Sequence, residues 1–175
     1  MKKKTIILSA IVLCLVCVIG CISVLTPKDY LAVQNDGVYF GMSLNSLKKI
    51  KGEPNQINKN ICDTPFDEYI FREKIYGYTV ESSYCFKNTW LKSSLLSADI
   101  TFENINYDIA KNIIAEMSDL FSKEYSVRTG FYDNALIEQN NLLEKSLGVD
   151  TGATGICCDF EYSKSKLYVY LVKQE

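Results

Sequence analysis

Apolar residues along the chain follow three different patterns, and each pattern predicts a different element. An almost unbroken apolar run extends from Ile6 to Leu25. From Leu96 to Glu103 apolar and polar residues alternate, and this period of two is typical of a half-buried strand. Between Asn106 and Tyr125 apolar residues recur at helical spacing and form one stripe. The chain therefore combines a membrane-directed head with a body of helices and strands.

Weaker signals predict the remaining elements. Ser43 is a good N-cap, and Gly52 and Pro54 stop the helix predicted over 43–51. The secondary structure of the segment Asp133–Leu147 is left undecided, because its leucines suit a helix while its paired asparagines disfavour one. The predicted strands lie at Tyr69–Phe71, Gly77–Asn88, Leu96–Glu103, about 155–162 and about 166–172.

This order of elements predicts the α+β class. We expect a two-layer sandwich, an antiparallel sheet of about five strands with two or three helices on one face. The predicted divisions are a signal segment over 1–20, an anchor and linker over 21–36, and a single domain over 37–175. Residues 37–104 and 107–173 each read as a helix followed by strands, so two diverged repeats are an alternative.

The N-terminal segment predicts where the protein is located. Three lysines precede the apolar run, which is the layout of a secretory signal. Val18-Ile19-Gly20-Cys21 then resembles a bacterial lipobox, which implies that the Cys21 thiol carries a diacylglyceryl group and becomes the N-terminus. Two alternatives remain open, simple secretion and an uncleaved helix, since about 20 residues can span a hydrocarbon core of ~30 Å. All three place the body outside the cytoplasm, and lipid or helix would make the membrane a partner.

Composition excludes some partners and some chemistry. Without the three leading lysines the chain has 16 basic and 21 acidic side chains, a formal net charge of −5. We therefore expect no nucleic-acid partner. The chain has no histidine, which removes the usual general base near neutral pH and the commonest metal ligand. The four cysteines of the body, Cys62, Cys85, Cys157 and Cys158, include no C-x-x-C pair either, and we expect neither a metal nor a cofactor.

The cysteines of the body permit a disulfide. Strand alternation places Cys85 and Cys157 on the face opposite the core, while Cys158 points inward. Cys85 and Cys157 are the predicted pair if their strands are neighbours, and free thiols are the alternative.

One short segment resembles a known family. It matches the pattern G-M-[ST]-x-x-x-[VL]-x-x-x-x-G-x-P that opens small lipoproteins of the outer-membrane assembly type (SmpA/OmlA). The matching positions are Gly41, Met42, Ser43, Leu47, Gly52 and Pro54. β-Lactamase inhibitory proteins have a similar fold built from two helix-and-strands repeats. The resemblance implies an extracytoplasmic α+β binding module with an antiparallel sheet and names no partner. Lys51 departs from the pattern, because an apolar residue usually precedes the glycine.

Two motifs raise the possibility of catalysis. Asp150-Thr151-Gly152-Ala153 resembles the active-site turn of aspartic proteases, but those enzymes need two such carboxylates and most of their fold after the turn. Ser46 and Ser163 each begin a Ser-x-x-Lys match, without the companion motifs of penicillin-binding enzymes.

We therefore expect a non-enzymatic interaction module of the cell envelope with a protein or envelope partner. A hydrolase using Asp150 or a serine is one alternative, and a small-ligand carrier is another.

Overall fold

The computed structural model describes residues 28–173, apart from residues 32, 35, 62–63, 91, 129, 140–141, 150–153 and 162–163. Within this part of the chain, two helices and nine strands follow one another. In chain order they are α1 (Leu44–Lys51), β1 (Gln56–Asn58), β2 (Phe66–Ile75), β3 (Tyr78–Asn88), β4 (Ser93–Glu103), α2 (Tyr107–Tyr125), β5 (Phe131–Asp133), β6 (Ile137–Gln139), β7 (Leu142–Val149), β8 (Thr154–Glu161) and β9 (Lys166–Lys173).

The strands form one antiparallel sheet. Its order is β1-β2-β3-β4-β9-β8-β7-β5, with β6 also paired to β7. At its centre, β4 pairs with β9, and Ile100 lies opposite Val169. The last strand of the chain therefore completes the middle of the sheet.

The predicted fold class is wrong. A sheet of about five strands with two or three helices on one face was expected, whereas the described residues form nine strands and only two helices. Three of the missed strands, β1, β5 and β6, have only three residues each, too few for a period of two to be recognised. The fourth is β7, where Leu143 and Leu147 fit a helical spacing but also fall on one side of a strand. Two helices, of 8 and 19 residues, cannot cover so wide a sheet.

One face of the sheet, here called the inner face, carries the core. It is covered by α1 through Leu47, by the apolar stripe of α2, and by the segment that precedes α1. That segment buries Leu31, Val33, Val38, Phe40 and Met42. Both helices begin at side-chain caps: Ser43 accepts a hydrogen bond from the Ser46 amide at 3.2 Å, and Asn106 accepts one from the Ile109 amide at 2.9 Å.

The described chain begins at one end of the sheet. Asp29 accepts hydrogen bonds from Lys173, at 2.6 Å, and from Arg128. Lys173 ends β9 and Arg128 follows α2, so three distant parts of the sequence meet there. Burial would raise the pKa of Asp29, but the hydrogen bonds from Lys173 and Arg128 outweigh burial and hold its pKa below the usual value. We call this end of the sheet the tether end.

Candidate functional site

The second face of the sheet, here called the outer face, lies open to solvent at its centre. On β9, Leu167, Val169 and Leu171 point into the core. The alternate residues Tyr168, Tyr170 and Val172 point outward, and Tyr170 and Val172 are 43% and 44% exposed. The rings of Tyr168 and Tyr170 are stacked, with centroids 6.4 Å apart and planes inclined by 14°. The middle strand thus presents a preformed pair of aromatic rings.

A third tyrosine joins this face near the tether end. Tyr132 of β5 lies over Gly148 of β7, where a Cβ atom would meet the Tyr132 hydroxyl at 2.5 Å. Gly155 of β8 lies beside the same hydroxyl, at 3.8 Å from its own Cβ position. The absence of a side chain at Gly148 therefore makes room for the Tyr132 ring.

Carboxylates flank the tyrosines on both sides. Asp99 of β4 pairs with Tyr170, and Asp159 of β8 pairs with Tyr168. One strand farther out, Glu81 and Glu144 lie in register with Tyr168. None of these four acids forms an ion pair with another described residue.

Burial and neighbouring acids shift the pKa of three groups on the outer face. Burial raises the pKa of Asp99, and the charge of Glu68 raises it further. Burial also raises the pKa of Cys157 and of Tyr170, and in both cases Asp159 adds to the shift. Each of these three shifts favours the less negative form of the group, first because burial penalises the charged form and then because neighbouring acids repel it.

A shallow open depression of about 390 Å³ lies on the outer face, at the end of the sheet opposite the tether end. Its charged lining residues are Arg72, Glu81, Glu103 and Lys166, and Tyr168 forms one wall. Lys166 pairs with Glu103 at 2.5 Å. The depression is polar and wide, unlike the apolar cavity that a small-ligand carrier would need.

A second group of titratable side chains lies beneath the inner face. Lys51 Nζ is 2.5 Å from Asp36 Oδ2 and also pairs with Glu73, whose Oε1 accepts the Tyr84 hydroxyl at 2.9 Å. Burial, and then the charge of Glu73, raise the pKa of Tyr84 well above its usual value, so the phenol stays a donor. The adjoining cavity holds about 10 Å³, roughly one water molecule. These groups satisfy one another, and no space is left there for a substrate.

This buried group also explains the unusual residue at the end of α1. Only 6% of the Lys51 side chain is exposed, although the resemblance described above expects an apolar residue there. The ammonium reaches two carboxylates across the core, and it lies 5.9 Å from the centre of the Tyr84 ring. Lys51 therefore fills an apolar position by pairing its charge.

The predicted cysteine pair is not brought together. Cys85 on β3 and Cys157 on β8 are free, and both lie on the outer face. Strands β4 and β9 separate them, so three strand spacings, about 14 Å, lie between the two positions. A disulfide needs Cα atoms within about 7 Å. The condition that the two strands are neighbours is therefore not met.

The other predicted residues have no catalytic setting in the described structure. Cys21, Asp150 and Ser163 lie outside the described residues. The Ser46 hydroxyl lies 3.0 Å from the Ser43 hydroxyl, at the start of α1, while Lys49 is exposed. Ser46 thus takes part in the helix cap.

Sequence reasoning missed both groups of residues. The sequence KLYVYLVK of β9 does carry a signal, because strand alternation separates its tyrosines from its aliphatic residues. No local signal links Asp36, Lys51 and Glu73, since their contact depends on how α1 packs on β2.

The described residues include neither a metal site nor a helix that could span a membrane. In that part of the chain no three His, Cys, Asp or Glu side chains are grouped so that they could hold a metal ion. No helix of the described part has the length and apolar character needed to cross a bilayer.

Comparisons with protein-family models, with curated proteins and with solved structures found no match to this chain. The resemblance of Gly41–Pro54 to envelope lipoproteins therefore stays a prediction.

Proposed function

We propose that this protein is anchored by lipid at Cys21, faces outside the cytoplasm, and acts without catalysis by binding a basic surface of an envelope protein. The outer face of its sheet is the proposed binding surface. The observation that carries the proposal is the combination of outward-facing tyrosines with two flanking carboxylates, Asp99 and Asp159, that form no ion pair with a described residue.

The tyrosines supply affinity. Stacking already restricts Tyr168 and Tyr170, so ordering them on binding costs little conformational entropy. Tyrosine also combines a large apolar ring with a hydroxyl, which is why it is enriched at protein interfaces. Val172 adds an aliphatic surface beside the rings.

The carboxylates supply selectivity. Burial raises the pKa of Asp99 most, and the negative charge of Glu68 raises it further, so acids of this face repel one another. Lysines or arginines of a partner would relieve that repulsion, while an acidic partner would increase it. We therefore expect binding that weakens as salt concentration rises.

Cross-linking can test the binding surface directly. A photoreactive amino acid at Val172, on the outer face, should give a discrete adduct with a membrane protein in intact cells. The matched control places the same group at Glu116, on the exposed side of α2, and should give none. Asp99→Lys should reduce the Val172 adduct without lowering protein abundance. Equal adducts from both positions, or an unchanged adduct in Asp99→Lys, would contradict the proposal.

The anchor needs a separate test. Cys21→Ser should abolish incorporation of a labelled fatty acid and leave an uncleaved precursor. Cys17→Ser is the matched control, because no small residue precedes Cys17, and it should be labelled like the native chain. Normal processing of Cys21→Ser would reject the lipid anchor and favour the uncleaved helix.

A further inference from the structure

Two apolar side chains of the protein stand almost completely in water. Trp90 is 92% exposed and Val127 is 91% exposed, whereas no other large apolar side chain of the described part exceeds 48%. Exposing an indole to water forgoes a large hydrophobic gain, so a surface that covers Trp90 would be stabilising.

The turn between β3 and β4 fixes Trp90 at its tip. The Thr89 amide donates to the Lys92 carbonyl at 2.9 Å, and the Thr89 hydroxyl donates to the same carbonyl at 2.9 Å. The Lys92 amide in turn donates to the Thr89 hydroxyl at 3.2 Å. These bonds close the turn, so the position of Trp90 is preset.

Trp90 and Val127 both lie at the tether end. Ser97 of β4 pairs with Val172 and β9 ends at Lys173, so the first three residues of β4, Ser93 to Leu95, project about 10 Å beyond the end of β9. Val127 precedes Arg128, which binds Asp29. The two exposed side chains therefore share the end of the sheet at which the described chain begins.

The proposed anchor keeps this end close to the bilayer. Six residues lie between Cys21 and Lys28, so seven Cα–Cα steps join them. Fully extended, they reach about 25 Å at most. The opposite end, with the turn between β8 and β9, is farther away by the length of the strands.

The charge of the tether end also suits a membrane. Lys28 and Lys92 are exposed and form no ion pair with a described residue. The buried acids at this end are paired, Asp29 with Arg128 and Lys173, and Asp67 with Lys59. Among the described residues, cations thus dominate here, in contrast to the acidic outer face. Tryptophan and lysine are the side chains that favour the headgroup region of a bilayer.

We infer that the tether end is a second membrane contact, resting on the proposed anchor, in which Trp90 and Val127 enter the headgroup layer of an anionic lipid surface. Lys28 and Lys92 contact the lipid phosphates. The contact sets the strands upright on the membrane and leaves the outer face accessible from the side.

Trp90 is the only tryptophan of the chain, so its fluorescence reports on the contact alone. The experiment uses the mature protein, lipidated at Cys21, in vesicles of phosphatidylcholine and phosphatidylglycerol. Trp90 emission should shift to the blue, be quenched by lipids with brominated acyl chains, and lose its sensitivity to iodide in the water phase. Lys92→Glu should weaken all three effects.

A matched variant carries Trp90→Phe and Lys164→Trp, which moves the indole to the turn between β8 and β9. Its emission should stay sensitive to iodide and insensitive to brominated lipid. If the native protein floats with the vesicles but Trp90 behaves like this variant, the inference is wrong and the anchor stands. If the protein does not float with the vesicles, both are wrong. Protection of Trp90 only in native membranes, and not in pure lipid, would assign the contact to a protein and overturn the inference.

Discussion

The two faces of the sheet use carboxylates in opposite ways. On the inner face, Asp36 and Glu73 share the ammonium of Lys51 and lie largely out of water. On the outer face, Asp99 and Asp159 flank the stacked pair Tyr168 and Tyr170 and form no ion pair with a described residue. Paired buried charges stabilise one arrangement of the chain, whereas unpaired charges at a surface remain available to a partner. The difference separates the residues that maintain the fold from those proposed to act.

The largest expected effect is on the inner face. Phe102 is fully buried on β4, so Phe102→Ala should lower the free energy of unfolding by about 3–5 kcal/mol. Thr101→Ala, the adjacent outward position, is the control and should cost less than about 1 kcal/mol. Denaturant titration measures both values. Similar losses would show that the two faces do not differ as described.

The buried ion group should give the next largest effect. Lys51→Met keeps the apolar stem but leaves Asp36 and Glu73 without their cation, which should cost about 3 kcal/mol. Lys49→Met, at an exposed position of the same helix, should change stability by no more than about 0.5 kcal/mol. Thermal unfolding of the two variants measures the difference. If Lys51→Met left the stability unchanged, the buried ion group would not stabilise the fold.

The contact at Asp29 should be smaller and depend on pH. Because the folded-state pKa of Asp29 is below its usual value, its contribution is present above a pH of about 3.9 and disappears as pH falls through the folded-state pKa. Asp29→Asn should therefore cost about 1 kcal/mol at neutral pH, and less in acid. Unfolding of both proteins between neutral and acidic pH measures this difference. A gap that widens in acid would contradict the assigned sign.

The smallest effect on stability is expected at Tyr170. Its side chain is 43% exposed, so Tyr170→Ala should change the free energy of unfolding by no more than about 1 kcal/mol. The same substitution should nevertheless remove most of the adduct formed from position 172. A large loss of stability with an intact adduct would reverse the roles assigned to the two faces.

Sequence patterns identified the best-ordered parts of the core but missed the width of the sheet. Ile100 and Phe102 are buried as their alternation predicts. Leu96 also follows the alternation, yet Leu95 is the buried residue, because Cys85 pairs with Ser97 and Phe86 with Leu95, which leaves Leu96 unpaired in a bulge. Local periodicity cannot show such a shift, because it depends on the neighbouring strand.

The candidate face was less accessible to sequence reasoning for the same reason. The tyrosines of β9 could be assigned to one side of a strand from the sequence alone. Their neighbours Asp99 and Asp159 are 60 residues apart in the chain and meet them only through strand order. The pairing of β4 with β9 also places the two predicted cysteine strands apart.

The central position of β9 has a consequence for how the chain acquires its structure. Strands β2, β3 and β4 form hairpins between neighbours in sequence, which close quickly. The middle of the sheet and the contact between Asp29 and Lys173, 144 residues apart, must wait for the C-terminus. If the chain is exported N-terminus first, as the proposed anchor implies, one edge of β4 would stay unpaired until β9 has crossed the membrane. Such an edge is prone to aggregation, so holding factors at the exit site would matter more for this protein than for one whose sheet is completed in chain order.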